Sequence, residues 1–233
     1  MVKLIKARLL ESWEIAPEVR HFIFEVPSVE DFPFAAGQFV SLVADIKGQP
    51  ITRAYSVASP AKQNRFELCL NRVEGGHMSP HLFDLQPGDE IDMKGPYGVF
   101  TLRQPVLDTI MVATGTGVAP FRAILIEHLP KDPEHHFLLI LGSRYENLLL
   151  YKEEFEELEK AYPNFRFWPT VTRPTEAWQG RTGRVQPHMW EAIGERRDLH
   201  VYICGLKEMV DEVRAQLKEA GFDRKHIIFE KYD

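Results

Sequence analysis

Thr109-Ile110-Met111-Val112-Ala113 runs directly into Thr114-Gly115-Thr116-Gly117-Val118-Ala119-Pro120: an apolar strand-like run, a glycine turn, then a helix opened by proline. A turn without side chains lets ligand oxygens reach the backbone. The helix N-terminus behind it offers unpaired N–H groups and a positive dipole end. The stretch therefore reads as a phosphate-binding turn. Its spacing is neither the dinucleotide fingerprint G-x-G-x-x-G nor the lysine-bearing G-x-x-x-x-G-K-[ST] loop, because Pro120 stands where a third glycine would fall.

On the C-terminal side, apolar runs at 109–113, 137–141, 165–171, 200–204 and 227–229 alternate with helical stretches at 121–129, 151–162 and 207–220. Such alternation predicts βαβ units on a five-stranded parallel sheet, where ligands sit beyond the carboxyl ends of the strands. The turn at Gly115 and the pair Cys204-Gly205 both fall at such ends. On the N-terminal side the chain offers short β-rich segments at 4–13, 20–26, 38–44, 53–58, 66–73 and 90–94. Turn signals such as Gln86-Pro87-Gly88-Asp89 and Gly95-Pro96-Tyr97-Gly98 separate them, which predicts a six-stranded antiparallel barrel. The expected fold is thus a β-barrel followed by an α/β domain. Gln104-Pro105 interrupts any regular element, so the domains are placed at 1–104 and 105–233.

Composition narrows the chemistry. A chain of 233 residues with 44% hydrophobic content can bury two cores. No apolar run approaches the roughly 18 residues of a membrane helix, and the start lacks the apolar core of a secretory signal, so a cytoplasmic protein without a membrane partner is expected. The net charge of −6 argues against nucleic acid while leaving room for a local positive patch facing an acidic protein. Cys69 and Cys204 are the only cysteines, which excludes a disulfide framework and a four-cysteine iron–sulfur cluster. His77 and His81 are four apart but lack an acidic or cysteine partner, and His135-His136 reads as loop, so no metal is expected. Redox chemistry would have to come from a bound organic cofactor. The charged run at 151–162 carries Tyr151, Phe155, Leu158 and Tyr162 at helical spacing and reads as an amphipathic surface helix.

Three further segments complete the pattern. Arg53-Ala54-Tyr55-Ser56-Val57-Ala58-Ser59 alternates as a strand does, with a cation, an aromatic plate and a hydroxyl expected on one face. Gly75-Gly76-His77-Met78-Ser79-Pro80-His81-Leu82 reads as a second glycine turn leading into a short helix. Near the end stand Val201-Tyr202-Ile203-Cys204-Gly205-Leu206-Lys207 and Phe229-Glu230-Lys231-Tyr232-Asp233. The order and spacing of these segments over the whole chain resemble the ferredoxin–NADP reductase family of flavoproteins.

That resemblance implies specific roles. Arg53 would pair a diphosphate, Tyr55 would lie against the flavin ring, and the Ser56 hydroxyl would reach flavin N5. Gly76, His77, Met78 and Ser79 match the family's G-x-x-S turn, which resembles a pyrophosphate cradle and favours FAD over FMN. Thr116 and Tyr232 would also contact FAD. Gly115, Thr116, Gly117 and Pro120 would form the NAD(P)H pyrophosphate turn. Ser143 and Arg144 match positions that contact the 2′-phosphate in NADP-using relatives, and Arg173 and Arg184 stand where some of those carry further arginines. The stretch Thr172-Arg173-Pro174-Thr175-Glu176-Ala177-Trp178 also resembles NADH-using members, so NADPH is expected with NADH as the alternative. Cys204 and Gly205 would lie near nicotinamide C4, the cysteine as a packing and positioning group that need not be a nucleophile. Glu230 matches the acid near the nicotinamide and Tyr232 the aromatic that covers the flavin. In plant-type members that tyrosine ends the chain, whereas here Asp233 follows it. Ser56, Cys204 and Glu230 are the expected catalytic residues.

The implied activity is hydride transfer from NAD(P)H to bound FAD across the domain interface, with electrons passed to a ferredoxin- or flavodoxin-like carrier by a monomeric enzyme. The alternatives are the reductase component of an oxygenase system, a free-flavin reductase and, from another class, a non-catalytic flavin- or nucleotide-binding regulatory subunit.

Overall fold

A computed structural model describes residues 4–232. Asp233, and with it the departure from the plant-type ending, lies outside the described residues. The chain divides into two compact units, Met1–Thr101 with Arg122–Glu127 and Leu102–Phe121 with His128–Asp233.

The first unit contains strands β1 (Ile5–Ala16), β2 (Val19–Glu25), β3 (Phe39–Ile46), β4 (Gln49–Ser56) and β5 (Arg65–Asn71), helix α1 (Met78–Asp84) and strand β6 (Glu90–Tyr97). The strands pair antiparallel in the order β4-β3-β6-β1-β2-β5. An isolated bridge between Val57 and Leu68 joins the two edges, as a barrel requires. Alternation drives this closure, because Phe22, Phe24 and Phe66 from β2 and β5 all turn inward and are fully buried. The rings of Phe24 and Phe66 stack 5.5 Å apart, each burial worth about 1.5–3 kcal/mol. Strand β4 starts at Gln49, four residues before the expected 53. It is paired by a hairpin whose turn residues, Lys47 (φ 57°) and Gly48 (φ 78°), both adopt the left-handed region that a tight hairpin demands. Beside the core, Glu67 accepts from Arg122 Nη1 at 2.6 Å and lies 3.3 Å from His21 Nε2, and the same guanidinium donates to the Ala58 carbonyl at 2.7 Å. Burial alone would raise the Glu67 pKa. The His21 hydrogen bond and the Arg122 charge outweigh it and hold the carboxyl below its usual range.

The second unit alternates β7 (Thr109–Thr114), α2 (Ala119–His128, whose central residues Arg122–Glu127 belong to the first unit), β8 (Phe137–Ser143), α3 (Lys152–Ala161), β9 (Phe165–Val171), β10 (Arg181–Thr182), α4 (Val185–Ile193), β11 (His200–Leu206), α5 (Lys207–Glu219) and β12 (Ile227–Tyr232). All pairings are parallel, in the order β10-β9-β8-β7-β11-β12. The sheet holds six strands where five are expected. The extra one, β10, has only two residues, too few to show any periodicity in sequence. From β7 the chain winds out to β8 and β9 on one side and later to β11 and β12 on the other, so the switch point lies between β7 and β11. Val112, Ile140, Val201 and Ile203 on the sheet pack with Met189 of α4 and with Val210, Val213 and Leu217 of α5. No helix among the described residues is long and apolar enough to cross a membrane.

Candidate functional site

The carboxyl ends of β7 and β11 are built backbone against backbone. After Thr114 the chain makes one 3₁₀ turn, Gly115–Val118, before α2, with Pro120 in the first helical turn where its missing N–H leaves no bond unmade. Gly115 has φ 53° and nothing within 4 Å of the place where a Cβ would stand. A side chain there would both strain the turn and fill the space above it. Gly117 is the opposite case. A Cβ on it would fall onto the Cys204 carbonyl oxygen and within 2.6 Å of Cys204 C and Gly205 Cα. Gly205, at φ 142°, approaches Thr114 so closely that a Cβ would strike the Thr114 hydroxyl and stand 3.0 Å from its carbonyl oxygen. Leu206 N–H donates to that hydroxyl at 3.4 Å. Thr114 was not among the expected site residues, although its place immediately before the glycine turn marks it.

Parallel pairing then sets Cys204 opposite Glu230 and Leu206 opposite Tyr232. Cys204 is fully buried. Burial first, and the Glu230 carboxylate second, push its thiol far up, against a hydrogen bond from Tyr232 that opposes the shift. The residue is a neutral thiol at any working pH, suited to packing and unsuited to nucleophilic attack. Thus Gly115, Thr116, Gly117, Cys204, Gly205, Glu230 and Tyr232 converge at the switch point.

A second group gathers where β8 and β9 end. Gly142 must lack a side chain because a Cβ would stand 2.6 Å from Val185 Cγ1 of α4. Ser143 Oγ donates to the Tyr145 carbonyl at 2.8 Å. Arg173 N–H donates to the Arg144 carbonyl at 2.9 Å, which sets the two arginines on adjacent, cross-linked segments, both exposed. Neither has an ion-pair partner among the described residues. Arg184, which precedes α4, is 3.7 Å from Glu212 and so already has a partner on α5. Both side chains are exposed, at 76% and 44%, so the pair is weak and leaves the guanidinium available to an anion.

In the first unit, Arg53 and Tyr55 lie two apart on β4 and share a face, opposite Leu42 and Val40 of β3. Ser56 is one residue out of phase and only 6% exposed, so the expectation of a common face for all three is wrong. Side chains alternate along a strand, and 56 cannot follow 53 and 55. Burial pushes the Tyr55 hydroxyl up to about 12, with Arg53 working the other way, so the phenol stays protonated as a donor. Arg53 is exposed, donates to the Thr52 carbonyl at 2.9 Å and has no ion-pair partner among the described residues. In the second turn Gly75 has φ 70° with open space around it, and a Cβ on Gly76 would stand 3.0 Å from the Val73 carbonyl oxygen. His77 precedes α1 without a side-chain capping bond. Met78 is buried in the barrel core, so only its backbone can face a ligand. Ser79 Oγ accepts from Val73 N–H at 2.9 Å and keeps its own proton to donate.

These features fit anionic dinucleotides. The turn at Gly115 has no side chain standing over it, and the exposed guanidinium groups of Arg53, Arg144 and Arg173 have no ion-pair partner among the described residues. Comparison with known proteins agrees. The oxidoreductase FAD-binding domain model matches residues 6–102 and the oxidoreductase NAD-binding domain model residues 111–215. The chain is 39% identical over 238 residues to ferredoxin–NADP reductase B of Sorangium cellulosum, covering 98% of this chain and 97% of that one. It is 29% identical to the phenol hydroxylase P5 protein of Acinetobacter pittii, covering 100% of this chain and 66% of that protein. The crystal structure of a ferredoxin NADP+ reductase from Neisseria gonorrhoeae with bound FAD and NADP superposes with a TM-score of 0.85 at 25% identity, covering 99% of each chain. The chain belongs to the ferredoxin–NADP reductase family of FAD- and NAD(P)-dependent oxidoreductases.

Proposed function

We propose that this chain takes reducing equivalents from NADPH through FAD to a ferredoxin- or flavodoxin-type carrier, with residues 1–104 holding the flavin and residues 105–233 the nicotinamide nucleotide. The observation that supports the reading is the packing of Gly117 on Cys204–Gly205 at the switch point, a backbone approach that only glycines allow and that brings a thiol and a glycine turn together. When bound, FAD supplies the bond chemistry, accepting a hydride from reduced nicotinamide and releasing its electrons singly or as a pair.

The chain's own contribution is orientation and charge. Arg53 offers a guanidinium to the flavin diphosphate, and the turn at Gly76–Ser79 offers backbone N–H groups and a hydroxyl proton. Tyr55 supplies an aromatic ring and a phenol that burial keeps protonated. Ser56 holds a hydroxyl, protected from solvent, for flavin N5. Gly115, Thr116 and Gly117 receive the nucleotide pyrophosphate, with Pro120 starting the helix behind them. Cys204 packs under the nicotinamide as an uncharged thiol, and Glu230 and Tyr232 flank it on β12. Ser143, Arg144 and Arg173 meet the 2′-phosphate, which favours NADPH; NADH is the alternative donor.

The match of the whole chain to 66% of the phenol hydroxylase P5 protein supports a second reading, a reductase that serves an oxygenase through a separate carrier. Cytochrome c reduction by NADPH tests the carrier assignment. A rate that rises steeply with added ferredoxin or flavodoxin supports it, and a rate indifferent to any carrier overturns it. A monomer in the cytoplasm is part of the same proposal. Sedimentation at micromolar concentration checks the first half.

A further inference from the structure

The loop after β9 is tied to the segment after β8 at several points. Thr172 N–H donates to the Ser143 carbonyl at 3.0 Å, the Thr172 hydroxyl reaches the same oxygen at 3.4 Å, and Arg173 N–H donates to the Arg144 carbonyl at 2.9 Å. One further tie is made by a side chain. Glu146 Oε1 accepts from the Thr175 backbone N–H at 2.6 Å and from the Thr175 hydroxyl at 2.9 Å, across 29 residues of sequence. The far end of the loop is anchored separately. Trp178 Nε1 donates to the Arg181 carbonyl at 2.9 Å, while the Arg181 guanidinium lies 3.6 Å over the Trp168 ring and donates twice to Glu191, at 2.6 and 2.9 Å.

This arrangement ties the backbones of two exposed arginines together. Arg144 and Arg173 stand on cross-linked segments, both exposed and without an ion-pair partner among the described residues, so each guanidinium keeps its donors for an anion. Glu146 keeps its charge while it accepts from Thr175, and it forms no ion pair with either arginine among the described residues. A carboxylate that fixes the loop of Arg173 without pairing its guanidinium makes physical sense where a dianion is the partner of that cation.

We infer that Glu146 is a positioning residue for 2′-phosphate recognition: by latching Thr175 it holds Arg173 next to Arg144. The inference rests on the nucleotide site proposed above. Glu146 touches neither phosphate nor reacting atoms; it acts through Arg173. Without it the two backbone ties at 172 and 173 persist, the Thr175 anchor is lost, and the Arg173 side chain samples positions away from its neighbour.

The test uses the full flavin-loaded chain and equilibrium titration with 2′,5′-ADP and with 5′-AMP, which differ only in the 2′-phosphate. Glu146→Ala is expected to weaken 2′,5′-ADP about tenfold and 5′-AMP by no more than about twofold, with faster hydrogen exchange at the Thr175 amide. Glu146→Gln keeps an acceptor oxygen and should recover most of the affinity, which also covers the case in which the alanine variant folds poorly. In an Arg173→Ala background, Glu146→Ala should add no more than about twofold, because its effect runs through that arginine. Equal weakening of both ligands, or an undiminished effect in the Arg173→Ala background, would overturn the latch. So would an unchanged Glu146→Ala beside an Arg173→Ala that still discriminates the ligands. If neither Arg144→Ala nor Arg173→Ala discriminates them, the phosphate assignment itself fails and the latch with it.

Discussion

Gly117→Ala perturbs the tightest packing in the nucleotide unit. The added Cβ would stand 2.6 Å from Cys204 C and from Gly205 Cα, where ordinary carbon contacts lie at about 3.5–4.0 Å, so something must withdraw by about 1 Å. The obstacle is backbone, and that backbone is pinned on both sides, by pairing of Cys204 with Ala113 of β7 and with Glu230 of β12. The glycine turn therefore moves and the strand stays. Overpacking of this kind costs about 1–3 kcal/mol, and for a chain of this size each kcal/mol lowers Tm by about 2–4 °C. Misplacing the pyrophosphate turn by about 1 Å should slow reduction of the bound flavin by NADPH up to about 100-fold. Calorimetric melting of the flavin-loaded protein reads the first effect and anaerobic stopped-flow mixing the second. Flavin content equal to wild type shows that the variant has folded. A variant that melts and is reduced as the wild type does would show that Cys204–Gly205 does not confine the turn, and the nucleotide assignment would lose its support.

Arg144→Ala should raise the KM for NADPH far more than that for NADH, by about 1.5–3 kcal/mol for loss of a charge-assisted phosphate contact; equal effects on both nucleotides would contradict the role. Glu67 titrates below its ordinary range in the folded chain, so the unfolded chain binds more protons at acid pH; the stability this group contributes is present above about 4.5 and is lost as pH falls further. Glu67→Gln should flatten the acid limb of a Tm-against-pH curve, and an unchanged limb would mean that the His21 and Arg122 contacts are not maintained in solution. Cys204 should resist iodoacetamide at pH 8 in the native protein and react after urea denaturation; fast native labelling of this residue would show an accessible thiolate and refute the packing role.

How much of this the sequence announces depends on whether a feature is local. The barrel strands are readable because inward residues such as Phe22 and Phe24 alternate, and the βαβ strands because Val112 and Ile140 lie in nearly continuous buried apolar runs. Where residues are exposed the period carries nothing, which is why β4 starts at Gln49 and not at 53: most of its early positions face solvent. Helix α4 is not marked by the sequence pattern because Pro187 interrupts it, yet that proline sits in the first helical turn, where no backbone donor is missed. The glycines of the Gly115–Gly117 turn are visible as letters, but their opposite functions are not. One leaves open space and the other avoids a collision with a strand almost ninety residues away. Arg184 and Arg173 look alike in sequence, and only the ion pair with Glu212 separates them. Glu146 gives no local signal at all, since its partner Thr175 lies 29 residues on.

The central claim, a bound flavin reduced by a nicotinamide nucleotide held at the switch point, is tested most directly by anaerobic titration of the purified chain with NADPH while the visible flavin band is followed. A yellow protein that keeps its colour through dialysis, and is bleached stoichiometrically by NADPH and less readily by NADH, is the expected result. A chain that binds neither FAD nor FMN on reconstitution, or whose bound flavin stays oxidised with both nucleotides, would contradict it.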